Sequence, residues 1–187
     1  MYLVWVAMLR KHKRPDKLIE LARATPDLQY VVCGGATAFG SSPEYTERIL
    51  KDLRELKNIR YLGDVDHART IETIAGAAAL VSTSDMEGFP NTFLEAWASG
   101  TPVVSLNIDP DNVIKEKGLG FVSGTTERAA SDIRTLFRSP ELFDSLSQRA
   151  RLYAQDAHGE ASVVRVFEAA VQRKTFGSQF TGEGYSK

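Results

Sequence analysis

The sequence predicts an α/β domain in which helices cover both faces of a parallel sheet of about six strands. Two observations carry this. Short apolar runs alternate along the chain with longer amphipathic stretches, and the runs lack the polar alternation of a sheet with one wet face. At 187 residues the chain is also one domain's worth, long enough to bury a sizeable core.

Taken in order, residues 2–7 form the first apolar run, and 15–24 show helical periodicity with Pro15 where a first helical turn accepts proline. A strand over 29–33 is followed by a helix over 43–56, opened by Pro43. Strand 59–62, helix 67–75 and strand 79–83 repeat the alternation. A helix over 91–99 ends at Gly100, as helices often do, before strand 102–106. The last strand is 120–122, and helices 126–137, 140–155 and 160–173 complete a domain expected to span 1–174. Residues 175–187 carry glycines and polar residues without periodicity and are expected to form a flexible tail.

Bulk properties exclude several classes. The formal net charge of −1 offers no basic field for nucleic acid or an acidic membrane. A single cysteine, Cys33, excludes an internal disulfide and suits a reducing compartment. No apolar run approaches the roughly 18 residues that a bilayer span needs. The apolar run at residues 3–7 is too short for a signal peptide and lacks a charged region before it. These features read as a cytoplasmic protein that inserts in no membrane and binds no nucleic acid.

The most informative segment is EGFPNTFLEAWASGTPV, residues 87–103. Two glutamates, Glu87 and Glu95, bracket a Gly-Phe-Pro-Asn-Thr turn that opens a helix. The first falls on a loop and the second within the first turns of that helix, so both are expected to face one crevice. Gly88 lets backbone approach closely or take an unusual angle. Asn91 suits the helix cap, leaving the N–H groups of Thr92 and Phe93 pointing outward at the positive end of the dipole. That is an anion site, and the Thr92 hydroxyl offers one more donor. Carboxylates flanking a phosphate site suit a ligand with phosphates in its middle and hydroxyl-rich sugars at its ends, which describes a nucleotide sugar. Phe93, Leu94 and Trp97 have the size and spacing of core residues.

EGFPNTFLEAWASGTPVV resembles the signature of the family 4 retaining glycosyltransferases. So do VWVAMLRKHKRPDKLIELA (4–22), YVVCGG (30–35), NIRYLGDV (58–65) and LNIDPDNVIKEKGLGFV (106–122), in the family's order. Those enzymes pair two Rossmann-like domains in the GT-B arrangement, and this chain resembles the C-terminal, donor-binding one. The resemblance implies that the acceptor-binding N-terminal domain is absent and that the isolated chain transfers no sugar. It also implies a nucleotide-diphosphate sugar as co-substrate, with no metal or other cofactor.

Residue by residue, the resemblance implies that Glu95 holds the ribose and Glu87 the transferred sugar. Gly88, Phe89, Pro90, Asn91, Thr92 and Phe93 form the phosphate turn, Gly34 and Gly35 allow close backbone approach, and backbone near Val65 reads the base. Lys13 stabilises the departing diphosphate. The family's arginine five residues before that lysine is replaced by Met8, so Arg10 or Lys11 must reach the site or the lysine must act with the helix dipole alone. The rest of the basic run Arg10–Lys11–His12–Lys13–Arg14 reads as a solvated loop.

Other features carry less. Residues 35–42 have the glycine spacing of a triphosphate loop, but Ser41 stands where its lysine belongs. No dinucleotide fingerprint is present. The pairs Asp64/Asp66 and Asp109/Asp111 read as caps or turns rather than metal ligands, and His12, His67 and His158 lack ligand spacing. Two alternatives stay open: a sugar-nucleotide epimerase of the same fold, and a non-catalytic module that binds a nucleotide or a partner chain.

Overall fold

The computed structural model describes residues 1–36, 41–159 and 162. The predicted helix over 160–173 and the tail over 175–187 lie outside the described residues, Ser162 apart.

Six strands form one all-parallel sheet: β1 (Leu3–Val6), β2 (Tyr30–Cys33), β3 (Ile59–Gly63), β4 (Ala79–Ser82), β5 (Val103–Ser105) and β6 (Gly120–Val122). Their spatial order is β3-β2-β1-β4-β5-β6. In register, Leu3 pairs with Tyr30 on one side and with Ala79 on the other. The helices are α1 (Pro15–Ala24), α2 (Pro43–Glu55), α3 (His67–Ala75), α4 (Asn91–Ala98), α5 (Val113–Lys117), α6 (Thr126–Arg138) and α7 (Pro140–His158). Short 3-10 turns occupy Lys11–Lys13 and Pro110–Asn112. Among the described residues no helix is long and apolar enough to cross a membrane.

Alternation of side chains along each strand builds two cores from one sheet. Leu3 and Trp5 of β1 join Leu18, Tyr30, Leu53 and Ile133 in a cluster under α1, α2 and α6. Val4, between them, faces the opposite way with Ile74, Leu80, Phe93, Trp97 and Ile114, under α3, α4 and α5. Helix α7 bridges the two, since Leu146 belongs to the first cluster and Ala150 to the second. Layering of this kind makes a three-layer, Rossmann-like domain.

Pro15 and Pro43 sit in the first turns of α1 and α2, and Ser42 caps α2 by accepting from the Tyr45 amide. Asp66 caps α3 by accepting from the Arg69 amide at 2.8 Å, and Asp109 accepts from the Ile114 amide at 2.7 Å. Asp66 and Asp109 thus serve as a cap and a turn former, the reading preferred for them from the sequence. Gly100 has a φ of 75° and follows Ser99, the C-cap of α4, where a left-handed residue closes a helix.

Candidate functional site

The strand order places a topological switch point between β1 and β4: the chain runs outward from β1 to β3, then restarts at β4 on the other side. Loops leaving two neighbouring strands in opposite senses open a crevice at their carboxyl ends. That crevice is a cleft of ≈ 540 Å³. Its walls include Val6 at the end of β1 with Ala7 and Met8 after it, Cys33 at the end of β2 with Gly34 after it, Asp64 and Val65 after β3, and Ser82 at the end of β4 with Ser84 beyond. Arg10, Lys13, Glu87 and the turn Phe89–Pro90–Asn91–Thr92 close it.

Backbone bonds hold these loops together. The amide of Leu9 donates to Gly35 at 3.0 Å, that of Gly34 to Gly63 at 2.7 Å, and that of Asp85 to His12 at 2.9 Å. Beneath them, Trp5 Nε1 donates to Thr83 Oγ1 at 2.9 Å, and the same hydroxyl donates to the Lys13 carbonyl at 2.7 Å. A buried indole and a buried hydroxyl thereby fix the 3-10 turn that carries Lys13. Lys13 Nζ in turn donates to the Glu87 carboxylate, which also accepts from Ser84 Oγ at 2.9 Å.

Arg14 departs from the solvated state expected of the basic run. Its guanidinium donates to Asp16 and to Asp85, joining the start of α1 to the loop after β4. Burial pushes the Asp16 carboxyl up, but the hydrogen bonds and charge of Arg14, with a backbone amide and Tyr45, together outweigh it and leave that carboxyl below its ordinary range. Tyr45 is pushed up to about 12, first by burial and then by Asp16.

The phosphate turn differs from expectation in three details. Pro90, not Asn91, occupies the cap position of α4, and Asn91 is the first helical residue without a side-chain cap bond. Proline at 90 holds the extended backbone that a cap needs, so asparagine is displaced one step into the helix. The Phe93 amide does not point outward: it donates to the Pro90 carbonyl at 3.0 Å, and the Phe93 ring is buried. Among the described residues, no chain atom accepts from the amides of Asn91 and Thr92, so these two carry the open helix end. Gly88 takes no left-handed angle, and a Cβ there would meet nothing within 4 Å, which leaves room for a ligand to approach. Phe89 fastens the turn to the core by meeting Trp97 edge-on, with ring centroids 6.1 Å apart.

Not every expected residue reaches the cleft wall. Glu95 lies one turn further along α4 and bonds His67 Nε2 at the start of α3, at 3.0 Å. Gly35 sits behind the wall, next to Asp64 and Met8. Lys13, Glu87, Gly34, Val65, Phe89, Pro90, Asn91 and Thr92 are brought together. Sequence reasoning missed Ser84, Thr83, Trp5 and His67. Of these, only the two hydroxyls beside the glutamate motif carried a local signal. Cys33 is buried at the cleft floor, and burial pushes its thiol up, as expected of an inert small residue.

The model of the glycosyl transferases group 1 family matches residues 1–153. The chain belongs to this family. Among curated relatives, a D-inositol 3-phosphate glycosyltransferase of Corynebacterium aurimucosum is 35% identical over 107 residues, covering 54% of this chain and 25% of the relative. An uncharacterized glycosyltransferase of Haemophilus influenzae is 31% identical over 159 residues, covering 81% of this chain and 43% of that protein. This member of the family thus spans less than half the length of either relative. In three dimensions it is similar to HepE of Anabaena, solved with UDP and glucose, with a TM-score of 0.77 at 20% identity. That likeness covers 92% of this chain and 48% of HepE, and it shows the shared fold.

Proposed function

We propose that this chain is the donor-binding half of a retaining glycosyltransferase and holds a nucleotide-diphosphate sugar in the switch-point cleft. One observation carries the reading: the open amides of Asn91 and Thr92, the cation of Lys13 and the carboxylate of Glu87 converge on a single cleft. An anion is favoured at the helix end, and a carboxylate beside it suits hydroxyls rather than a second anion. HepE, which shares the fold, was solved with UDP and glucose, which supports a donor of this chemistry.

In this reading the diphosphate lies against the Asn91 and Thr92 amides, the Thr92 hydroxyl and Lys13. Glu87 accepts from hydroxyls of the transferred sugar. Glu95 holds the ribose and exchanges its His67 bond for that role, while Gly34, Gly35 and Val65 border the base. As the bond to the anomeric carbon lengthens, charge grows on the leaving oxygens. Lys13 and the helix end then stabilise the transition state more than the ground state. The acceptor hydroxyl attacks from the same face, which retains configuration. No metal is needed, because lysine and backbone dipoles supply the positive character. Acceptor positioning can account for ~7–11 kcal/mol of barrier lowering, so the 187-residue chain alone binds donor without efficient transfer.

Titration calorimetry with UDP, GDP and ADP and their sugar esters, with and without a chelator, tests the reading. Binding of at least one diphosphate series in chelator is expected. Failure of every diphosphate to bind overturns the site, and strict dependence on magnesium or manganese overturns the metal-free assignment. Robust transfer by this chain alone to a broad acceptor panel would overturn the division of labour.

A further inference from the structure

Arg10 stands out among the described arginines by its burial: it is the one with a side-chain nitrogen that is buried and unpaired. Arg10 lines the cleft, its Nε is buried, and among the described residues nothing accepts from it. Leaving a buried donor unpaired forfeits its hydration with nothing in return, and more so for a charged group. Such an exception calls for an acceptor that the chain itself does not provide. Its backbone is already fixed, because the Arg10 amide donates to Met8 at 2.7 Å and its carbonyl accepts from the Lys13 amide at 3.0 Å.

The other cation on this wall, Lys13, is occupied by Glu87. Position 8 lines the same cleft but carries no cation: Met8 Cε and Asp64 Cβ lie 3.7 and 3.2 Å from the place a Cβ on Gly35 would take. Met8 therefore borders the loops after β2 and β3, where a cation at this position would have the Asp64 carboxylate as a neighbour.

We propose that Arg10 is the second cation of the anion subsite, supplying to a nucleoside diphosphate the charge that position 8 lacks. This rests on the reading of the cleft as a nucleoside-diphosphate site and names a residue specific to this chain. The guanidinium fork matches phosphate oxygens in bidentate fashion, with Lys13 on the same loop and the helix end on the loop after β4 lining the same cleft.

The test is calorimetric titration of the 187-residue chain with UDP, GDP and ADP, alongside NMR titration with the parent nucleosides. Arg10→Ala is expected to weaken the best diphosphate ~10- to 100-fold, the loss of a charge-assisted hydrogen bond, and to leave nucleoside binding unchanged. Arg10→Lys should retain part of the affinity, and Met8→Arg added to Arg10→Ala should restore none. Diphosphate affinity within about twofold of the parent in Arg10→Ala, or restoration by Met8→Arg, overturns the proposal. Arg10→Gln, which keeps the bulk and loses the charge, decides the matter if Arg10→Ala melts early: unchanged affinity overturns, and selective loss of diphosphate supports. If the parent chain binds no diphosphate at all, the reading of the cleft fails and this assignment falls with it.

Discussion

Lys13 and Glu87, on loops leaving two adjacent strands, form an ion pair across the mouth of the switch-point cleft. Their side chains are 21% and 18% exposed, so the pair is only partly screened by water. In the proposed site both partners have other tasks, one toward phosphate and one toward sugar. A diphosphate must therefore compete with Glu87 for Lys13, and the two residues should respond differently to substitution.

Lys13→Ala is expected to weaken a bare nucleoside diphosphate by ~1.5–3 kcal/mol, the range for a lost hydrogen bond to a charged group. Glu87→Gln should release Lys13, leaving bare diphosphate affinity unchanged or higher while the sugar ester binds less well. Calorimetry on both ligands reads the difference. Equal losses for the two ligands in Glu87→Gln would separate Glu87 from the sugar.

Thr83 supports Lys13 from below, accepting from Trp5 Nε1 and donating to the Lys13 carbonyl. Thr83→Val keeps the shape and removes both bonds, leaving a buried indole N–H and a carbonyl unpaired. A stability loss of about 1–3 kcal/mol follows, the usual desolvation penalty, together with weaker diphosphate binding. Thr83→Ser should recover most of both. Urea unfolding beside calorimetry checks this, and a Thr83→Val protein matching the parent in both would remove Thr83 from the support of the site.

Much of the fold was legible because each strand is an apolar run between turn residues, long enough to show that it faces no water. Helix α5 was not, since Val113–Lys117 makes little more than one turn and shows no periodicity. Asn91 was read as a cap on residue preference alone, but Pro90 already holds the extended backbone there. The glutamate motif pointed to a candidate site. It could not reveal that Glu95 turns toward His67, because that requires knowing where α3 begins in space. The Lys13–Glu87 pair depends on β1 lying beside β4, a fact of topology rather than of either local sequence.

Gly34 sets how closely the loops after β1 and β2 approach. Its φ is 146°, and a Cβ would lie 1.7 Å from the Ala7 carbonyl oxygen, which no side-chain adjustment relieves. Gly34→Ala is expected to destabilise the domain by several kcal/mol or prevent folding, by strain and clash together. At Gly35 the nearest contact is the Asp64 Cβ at 3.2 Å and the backbone is not left-handed, so Gly35→Ala should fold. Thermal melts of the two variants compare them directly, and a Gly34→Ala protein as stable as Gly35→Ala would contradict the close approach.

Acid stability should depend on Asp16, which accepts from Arg14 and from Tyr45 Oη and so ties α1 to α2. Burial opposes the charge of this carboxyl, the bonds and charge of Arg14 with a backbone amide and Tyr45 together more than compensate, and its folded pKa lies below the ordinary 3.8. A depressed carboxylate stabilises the folded state fully above its unfolded pKa. That contribution fades as pH falls from about 3.8 through the lower folded value. Asp16→Asn removes the proton linkage. The stability gap between the parent chain and Asp16→Asn should therefore be widest at neutral pH and narrow below pH 3.8. Arg14 stays charged throughout and is left with Asp85 alone in the variant, so the loop after β4 should remain docked. Urea unfolding at a series of pH values measures the gap. A gap that stays constant down to the acid end would show that Asp16 acts through packing and neutral hydrogen bonds rather than through its charge.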